Sequence, residues 1–172
     1  MNRWHHRRTL KSPRNVLFLC TGNSARSIMA EALLNALGGR RFRGYSAGSH
    51  PKGRVHPIAL EVLARAGCAT HGLRSKDWSE FTGPEAPRID FVITLCDQAA
   101  REACPAFPGR FVRAHWGMPD PAAVDGGEEA ELRAFLEALA TLRRRIQRFT
   151  SLPFSSVDGA ALVPELRAIG EG

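Results

Sequence analysis

Apolar residues fall in short blocks along the chain, parted at regular intervals by polar residues and glycines. Val16 to Leu19 is apolar throughout and runs directly into Cys20-Thr21-Gly22-Asn23-Ser24. A short unbroken apolar run of this kind predicts a strand buried on both faces. Beyond that loop, Ile28, Ala32, Leu33, Ala36 and Leu37 repeat at helical spacing, and Gly38-Gly39 closes the helix. Residues 42 to 46 predict a second strand that ends in Ser46-Ala47-Gly48. Pro57 suits a first helical position, with Ile58, Leu60, Val62 and Leu63 continuing to a stop at Gly67. Phe91 to Leu95 predicts a third strand, again ending on a cysteine, Cys96. Asp97 to Glu102 reads as helix up to Pro105, and Phe111 to Trp116 as a fourth strand. Leu132, Phe135, Leu136, Leu139, Leu142, Ile146 and Phe149 predict a long helix from Glu128 to Phe149. Residues 150 to 172 carry a weaker pattern, an extended start and then a short helix near Pro164 to Ile169.

Strands alternating with helices predict an α/β fold, a parallel sheet covered by helices on both faces. Ligands of such sheets bind at the carboxyl ends of the strands, and Cys20 and Cys96 both fall at such ends. The length of 172 residues fits one domain with a core of its own. We divide the chain into a basic, disordered arm (1–14), a catalytic domain (15–150) and a carboxyl-terminal extension (151–172).

Composition is that of an ordinary soluble chain, 44% apolar and 24% charged. No apolar run approaches the roughly 18 residues of a membrane span, and the start lacks the apolar stretch of a signal peptide. A cytoplasmic, reducing setting is therefore expected, where thiols are catalytic or metal-bound more often than paired. The net charge of +7 raises a nucleic-acid partner. However, Arg3, Arg7, Arg8, Lys11 and Arg14 supply most of it from the arm, so neither nucleic acid nor membrane is expected to bind the domain. The cysteines are Cys20, Cys68, Cys96 and Cys104. No CxxC pair is present and the histidines are scattered, which argues against zinc. Cys68 reads as a packing or surface residue. His56 reads as a helix cap ahead of Pro57, and His115 sits near Asp120 without a role.

Cys20 to Ser27 suits a tetrahedral oxyanion. Backbone N–H groups of a tight loop and of a helix start make an anion cradle, and Gly22 gives the loop freedom to aim them inward. Arg26 offers a planar fork to two oxygens. The same field stabilises a thiolate, which makes Cys20 a nucleophile. Ser27 and Asn23 can donate to the sulfur or hold the loop. Asn23 and Ser24 are also good helix caps, so Cys20 alone would read equally as a buried cysteine before a cap. Asp120, followed by Pro121, reads as a general acid or as a turn residue.

Cys20-Thr21-Gly22-Asn23-Ser24-Ala25-Arg26-Ser27, with Met29-Ala30-Glu31 after it, resembles the active-site loop of the low-molecular-weight tyrosine phosphatase superfamily. Within it, the chain is most similar to the arsenate reductases built on that fold. Tyr45-Ser46-Ala47-Gly48, Val55-His56-Pro57, Thr94-Leu95-Cys96, His115-Trp116-Gly117 and Asp120-Pro121 follow in matching order. The resemblance covers about residues 15 to 150. It implies a four-stranded parallel sheet in order 2-1-3-4.

It further implies that the loop from Thr21 to Ser27 binds arsenate or phosphate, that Cys20 attacks, and that Asp120 protonates the departing oxygen. A phosphatase needs one thiol; a reductase must deliver two electrons. The resemblance therefore gives Cys96 the attack on Cys20, and Cys104 the attack on Cys96 that carries the disulfide outward. If residues 96 to 104 were fully helical, the two Cα atoms would stand roughly 12 Å apart, against about 4.4–6.8 Å in a disulfide. Residues 97 to 103 would then have to unwind. Cys104 reads otherwise as a small apolar helix residue. The thioredoxin-coupled relatives hold this pair one residue closer, which leaves thioredoxin and glutaredoxin with glutathione both open as donors. Related reductases can bind potassium at positions matching Asn23, Glu31 and Ser46; no tightly bound organic cofactor is implied.

The alternative activity is phosphomonoester hydrolysis, above all of phosphotyrosine. Against it, Ala122-Ala123 follow the Asp-Pro pair where the phosphatases carry tyrosines. Residues 48 to 53 hold no aromatic side chain, and Ala25 replaces a second loop cysteine. A third reading, a sensor that binds the oxyanion without turnover, leaves nucleophile, arginine and acid together without a purpose.

Overall fold

The computed structural model describes residues 12–172. The strands are β1 (Arg14–Cys20), β2 (Phe42–Gly48), β3 (Phe91–Thr94) and β4 (Val112–His115). The helices are α1 (Arg26–Leu37), α2 (Pro57–Arg65), α3 (Asp97–Arg101), α4 (Gly127–Thr150) and α5 (Val163–Glu171). Short 3₁₀ turns cover Trp78–Phe81, Pro121–Ala123 and Gly159–Leu162. The strands form one parallel sheet in the order β2-β1-β3-β4, as the resemblance implies. Central β1 has neighbours on both edges, and Val16 to Leu19 are fully buried. That is why its sequence is apolar without alternation.

The two faces of the sheet are covered unequally. Val16, Phe18, Phe91 and Ile93 face a core built with residues of α1, α2, α4 and α5. Leu17, Leu19 and Val92 face the other way, onto Phe81, Ile89 and Phe107. These three come from the 3₁₀ turn and the irregular chain around β3, so that face is closed without a long helix.

Residues on either side of the expected catalytic domain pack on it. Residues 1 to 11 of the expected arm lie outside the described residues, but Arg14 is the first residue of β1, paired with Phe42. Its guanidinium donates to the Phe154 carbonyl at 2.6 Å and lies over the Phe154 ring. The carboxyl-terminal extension is no appendage either. Phe154, Leu162, Leu166 and Ile169 are buried in the main core. Phe154 meets Phe42, Phe91 and Phe149 with ring centroids 5.0–5.5 Å apart, favourable tilted and edge contacts.

The segment after β3 also departs from expectation. α3 ends at Arg101, and Glu102 already has extended backbone (φ −69°, ψ 144°). The premise of a continuous helix from 96 to 104 does not hold. The last turn before Cys104 is irregular from the start.

Candidate active site

Cys20 ends β1 and is 3% exposed. The loop that follows is shaped by its carbonyls. Those of Thr21, Gly22 and Ser24 accept from the backbone N–H groups of His50, Lys52 and His56, each at 2.9 Å. In a trans peptide the N–H points opposite to the carbonyl. The N–H groups of Gly22, Asn23 and Ala25 are therefore turned away from the 50–56 segment, the arrangement an anion cradle needs. α1 begins directly behind the loop, and no side chain caps its first turn, which leaves that end open to an anion.

The left-handed residue of the loop is Asn23 (φ 42°), not Gly22 as the sequence suggests. Asparagine tolerates that region better than most residues. Its amide is fixed at both ends: Oδ1 accepts from the Lys76 N–H at 2.8 Å, and Nδ2 donates to Ser27 Oγ at 2.8 Å. Ser27 Oγ stands 2.8 Å from Cys20 Sγ. That oxygen accepts from Asn23 and keeps its own proton to donate, and a bond from it to the sulfur stabilises a thiolate. At Gly48, a Cβ would fall 2.4 Å from the Thr21 carbonyl oxygen, so β2 must end in glycine for the loop to close against it.

Arg26 Nη1 donates to the Met118 carbonyl at 3.0 Å, and Nη2 lies 3.9 Å from Asp120 Oδ2. The guanidinium thus links the loop to the segment carrying the acid. Asp120 takes the turn reading of the Asp-Pro pair and also faces the cavity. Oδ1 accepts from the Ala122 N–H at 3.0 Å and caps the 3₁₀ turn, while the residue lines the same cavity as Cys20.

Cys96 follows β3, caps α3 by accepting from the Ala99 N–H at 3.4 Å, and stands 3.5 Å from Thr21 Oγ1. Cys20, Cys96 and Ala99 form one small buried cluster. Cys104 is not in it: it packs, half-buried, against the opposite core of Leu17, Leu19, Phe81 and Phe107. Cys68 is buried in the main core, and burial pushes its thiol up.

The cavity over Cys20 measures about 280 Å³ and is lined by the loop from Thr21 to Arg26, by Cys96 and by Asp120. His50, Lys52 and Gln98 also line it, and among the described residues no Phe, Tyr or Trp ring does. His56 caps α2 as the sequence suggests, accepting from the Ile58 N–H at 3.1 Å. It also reaches Glu131 of α4 at 3.1 Å. His115 has partners the sequence did not supply, Thr94 Oγ1 at 2.8 Å and Asp97 at 3.0 Å, tying β4 to the start of α3.

Sequence reasoning missed the cavity-lining His50, Lys52 and Gln98, and behind the loop it missed Lys76. This lysine lies in a stretch without periodicity, Leu73-Arg74-Ser75-Lys76-Asp77, and only the fold brings it to the loop. Glu31 accepts from Ser46 Oγ at 2.7 Å and faces Lys76 Nζ at 3.6 Å. Among the described residues, no cluster of His, Cys, Asp and Glu side chains suited to a metal is found.

Fold and site together define a cysteine-centred oxyanion site at the carboxyl edge of a parallel α/β sheet. The model of the low molecular weight phosphotyrosine protein phosphatase family matches residues 15–157, and the chain belongs to that family. It is 37% identical to the arsenate reductase of Bacillus licheniformis over 139 residues, 80% of this chain and 96% of that relative. Among solved structures it is similar to the arsenate reductase of Archaeoglobus fulgidus, with a TM-score of 0.61 and 27% identity. That match covers 80% of this chain and 99% of the other. A thioredoxin-dependent arsenate reductase of Corynebacterium glutamicum aligns with a TM-score of 0.54 and 26% identity, over 80% of this chain and 63% of its own.

Proposed function

We propose that the protein reduces arsenate to arsenite, with Cys20 as nucleophile and Cys96 as the second thiol. The observation that carries the reading is the burial of both thiols in one cluster, beneath a cavity that among the described residues has no Phe, Tyr or Trp wall. A phosphatase has no use for the second sulfur, and a phenyl ring has nothing to stack on.

The chemistry then balances. The Cys20 thiolate bonds to pentavalent arsenic, and an oxygen leaves as water with the proton of Asp120. The loop N–H groups and Arg26 hold the remaining oxygens. The Cys96 thiolate next attacks Cys20 Sγ. The S–S bond forms as the As–S bond breaks, and its electron pair leaves on arsenic, now trivalent. Cys104 attacks Cys96, frees Cys20, and passes the disulfide to an external dithiol. For this last step Cys104 must leave the core of Leu17, Leu19, Phe81 and Phe107, by a movement of the irregular chain from Glu102 onward. Thioredoxin and glutaredoxin with glutathione are the candidate donors, and the thioredoxin-dependent relative favours the first.

The test is arsenate-dependent oxidation of NADPH, coupled to each donor system in parallel. Wild type should turn over with at least one. Cys20→Ser should be inactive, and Cys96→Ser should stop after one adduct at most. Sustained turnover by Cys96→Ser would refute the relay while leaving the anion site intact. Slow hydrolysis of phosphate esters is expected as a side activity, since phosphate shares the shape and charge of arsenate.

A further inference from the structure

Lys76 does not line the cavity, yet its side chain is only 9% exposed. Its Nζ donates to the carbonyls of Ser46 at 2.8 Å and Arg74 at 2.9 Å. It also stands 3.4 Å from Ser46 Oγ and 3.6 Å from Glu31 Oε1. Four oxygens surround one nitrogen. A neutral amine offers two N–H groups and a lone pair, so only the ammonium, with three donors, suits this shell. Burial holds the lysine pKa below its ordinary value, and the Glu31 carboxylate offsets part of that.

Two of the three positions at which the family resemblance implies potassium, Glu31 and Ser46, are in this shell. The third, Asn23, accepts the N–H of Lys76 itself. A potassium ion drawn to the same oxygens would meet a buried ammonium, like charge against like charge. The residues present do not fit a separate ion.

We infer that Lys76 is a tethered cation: its ammonium stands where a dissociable monovalent ion would, and through Asn23 it positions the anion loop. The path is continuous. The Lys76 N–H holds Asn23 Oδ1, Asn23 Nδ2 holds Ser27 Oγ, and Ser27 Oγ meets Cys20 Sγ. A covalently held charge needs no ion from solution, so the loop stays ordered whatever the salt. Lys76 is a positioning residue, since it touches neither the sulfur nor the oxyanion.

The test reads Cys20 directly and does not require that arsenate be the substrate. Alkylation of Cys20 by iodoacetamide near neutral pH is followed by mass spectrometry in potassium, sodium and choline chloride at equal ionic strength. Wild type should react at one rate in all three. Lys76→Ser should react about tenfold more slowly in choline, the equivalent of one unit of thiol ionisation. Potassium should restore several-fold of that loss. A potassium-specific gain in wild type overturns the inference, as does a serine variant that matches wild type in choline or is unmoved by potassium. The wild-type comparison stands without any variant. Where the serine variant does not fold, Lys76→Met, which keeps the stem and drops the charge, should be slow in every salt; a wild-type rate overturns the inference.

Discussion

Asn23 is the residue on which the shape of the anion loop turns, and two substitutions separate its contributions. The side chain is fully buried, the backbone is left-handed at φ 42°, and the amide bridges Lys76 to Ser27. Alanine at this position carries a Cβ in a left-handed conformation without asparagine's local compensation, at a cost of about 1 kcal/mol. It also strands the Lys76 N–H, a buried donor, for about 1–2 kcal/mol, and removes the Ser27 contact for roughly 1 kcal/mol more. The total for Asn23→Ala is about 3–4 kcal/mol, which lowers the melting temperature by about 6–16 °C for a chain of this size. Asn23→Gly loses both hydrogen bonds but takes the left-handed backbone freely, so it should be milder by about 1 kcal/mol. Urea unfolding followed by circular dichroism gives the two free energies, and alkylation of Cys20 gives the effect on the nucleophile. Both variants should alkylate more slowly, since Ser27, which meets the sulfur, loses its bond from Asn23. Equal losses for alanine and glycine, or a loss below about 0.5 kcal/mol for either, would refute this account of the loop.

Other expectations follow from buried or charged groups away from the loop. Arg145→Ala should destabilise by about 2–3 kcal/mol, because its buried guanidinium donates to the carbonyls of Trp116 (2.8 Å), Gly117 (3.3 Å) and Gly170 (3.1 Å), joining α4 to the segment before Asp120 and to α5. Thermal melting checks it. Phe154→Ala should cost about 3–5 kcal/mol by urea unfolding, and a loss below 1 kcal/mol would return the extension to the status of an appendage. Asp77 accepts from the Ser79 N–H at 2.8 Å, and that backbone bond, reinforced by the Ser79 side chain, holds its carboxyl below the usual range. The unfolded carboxyl therefore takes up its proton first as pH falls. The stabilisation is complete above about pH 4 and disappears below it. Melting curves of wild type and Asp77→Ala should differ at neutral pH and converge in acid.

Sequence by itself determined the strands, the long helices and the residues of one loop. Parallel strands buried on both faces must be apolar throughout, so Val16 to Leu19 and Phe91 to Thr94 announce themselves. The loop is legible because its parts are local: Cys20, Arg26 and Ser27 stand within one loop and one helical turn, and spacing alone places them together. Tertiary structure decided everything that joins distant segments. Sheet order puts β3 beside β1, which brings Cys96 to Thr21 across 75 residues and Arg26 to the acid segment across 92. It also decided that Cys104 faces the opposite core and that Lys76 enters the oxygen shell of Ser46 and Glu31. The strain falls on Asn23 instead of Gly22, and the second face is closed by Phe81 and Phe107 from chain without periodicity. Periodicity reports only the environment of a residue along its own element. Which elements meet is fixed by strand register and packing, and those involve residues that no short window of sequence contains together.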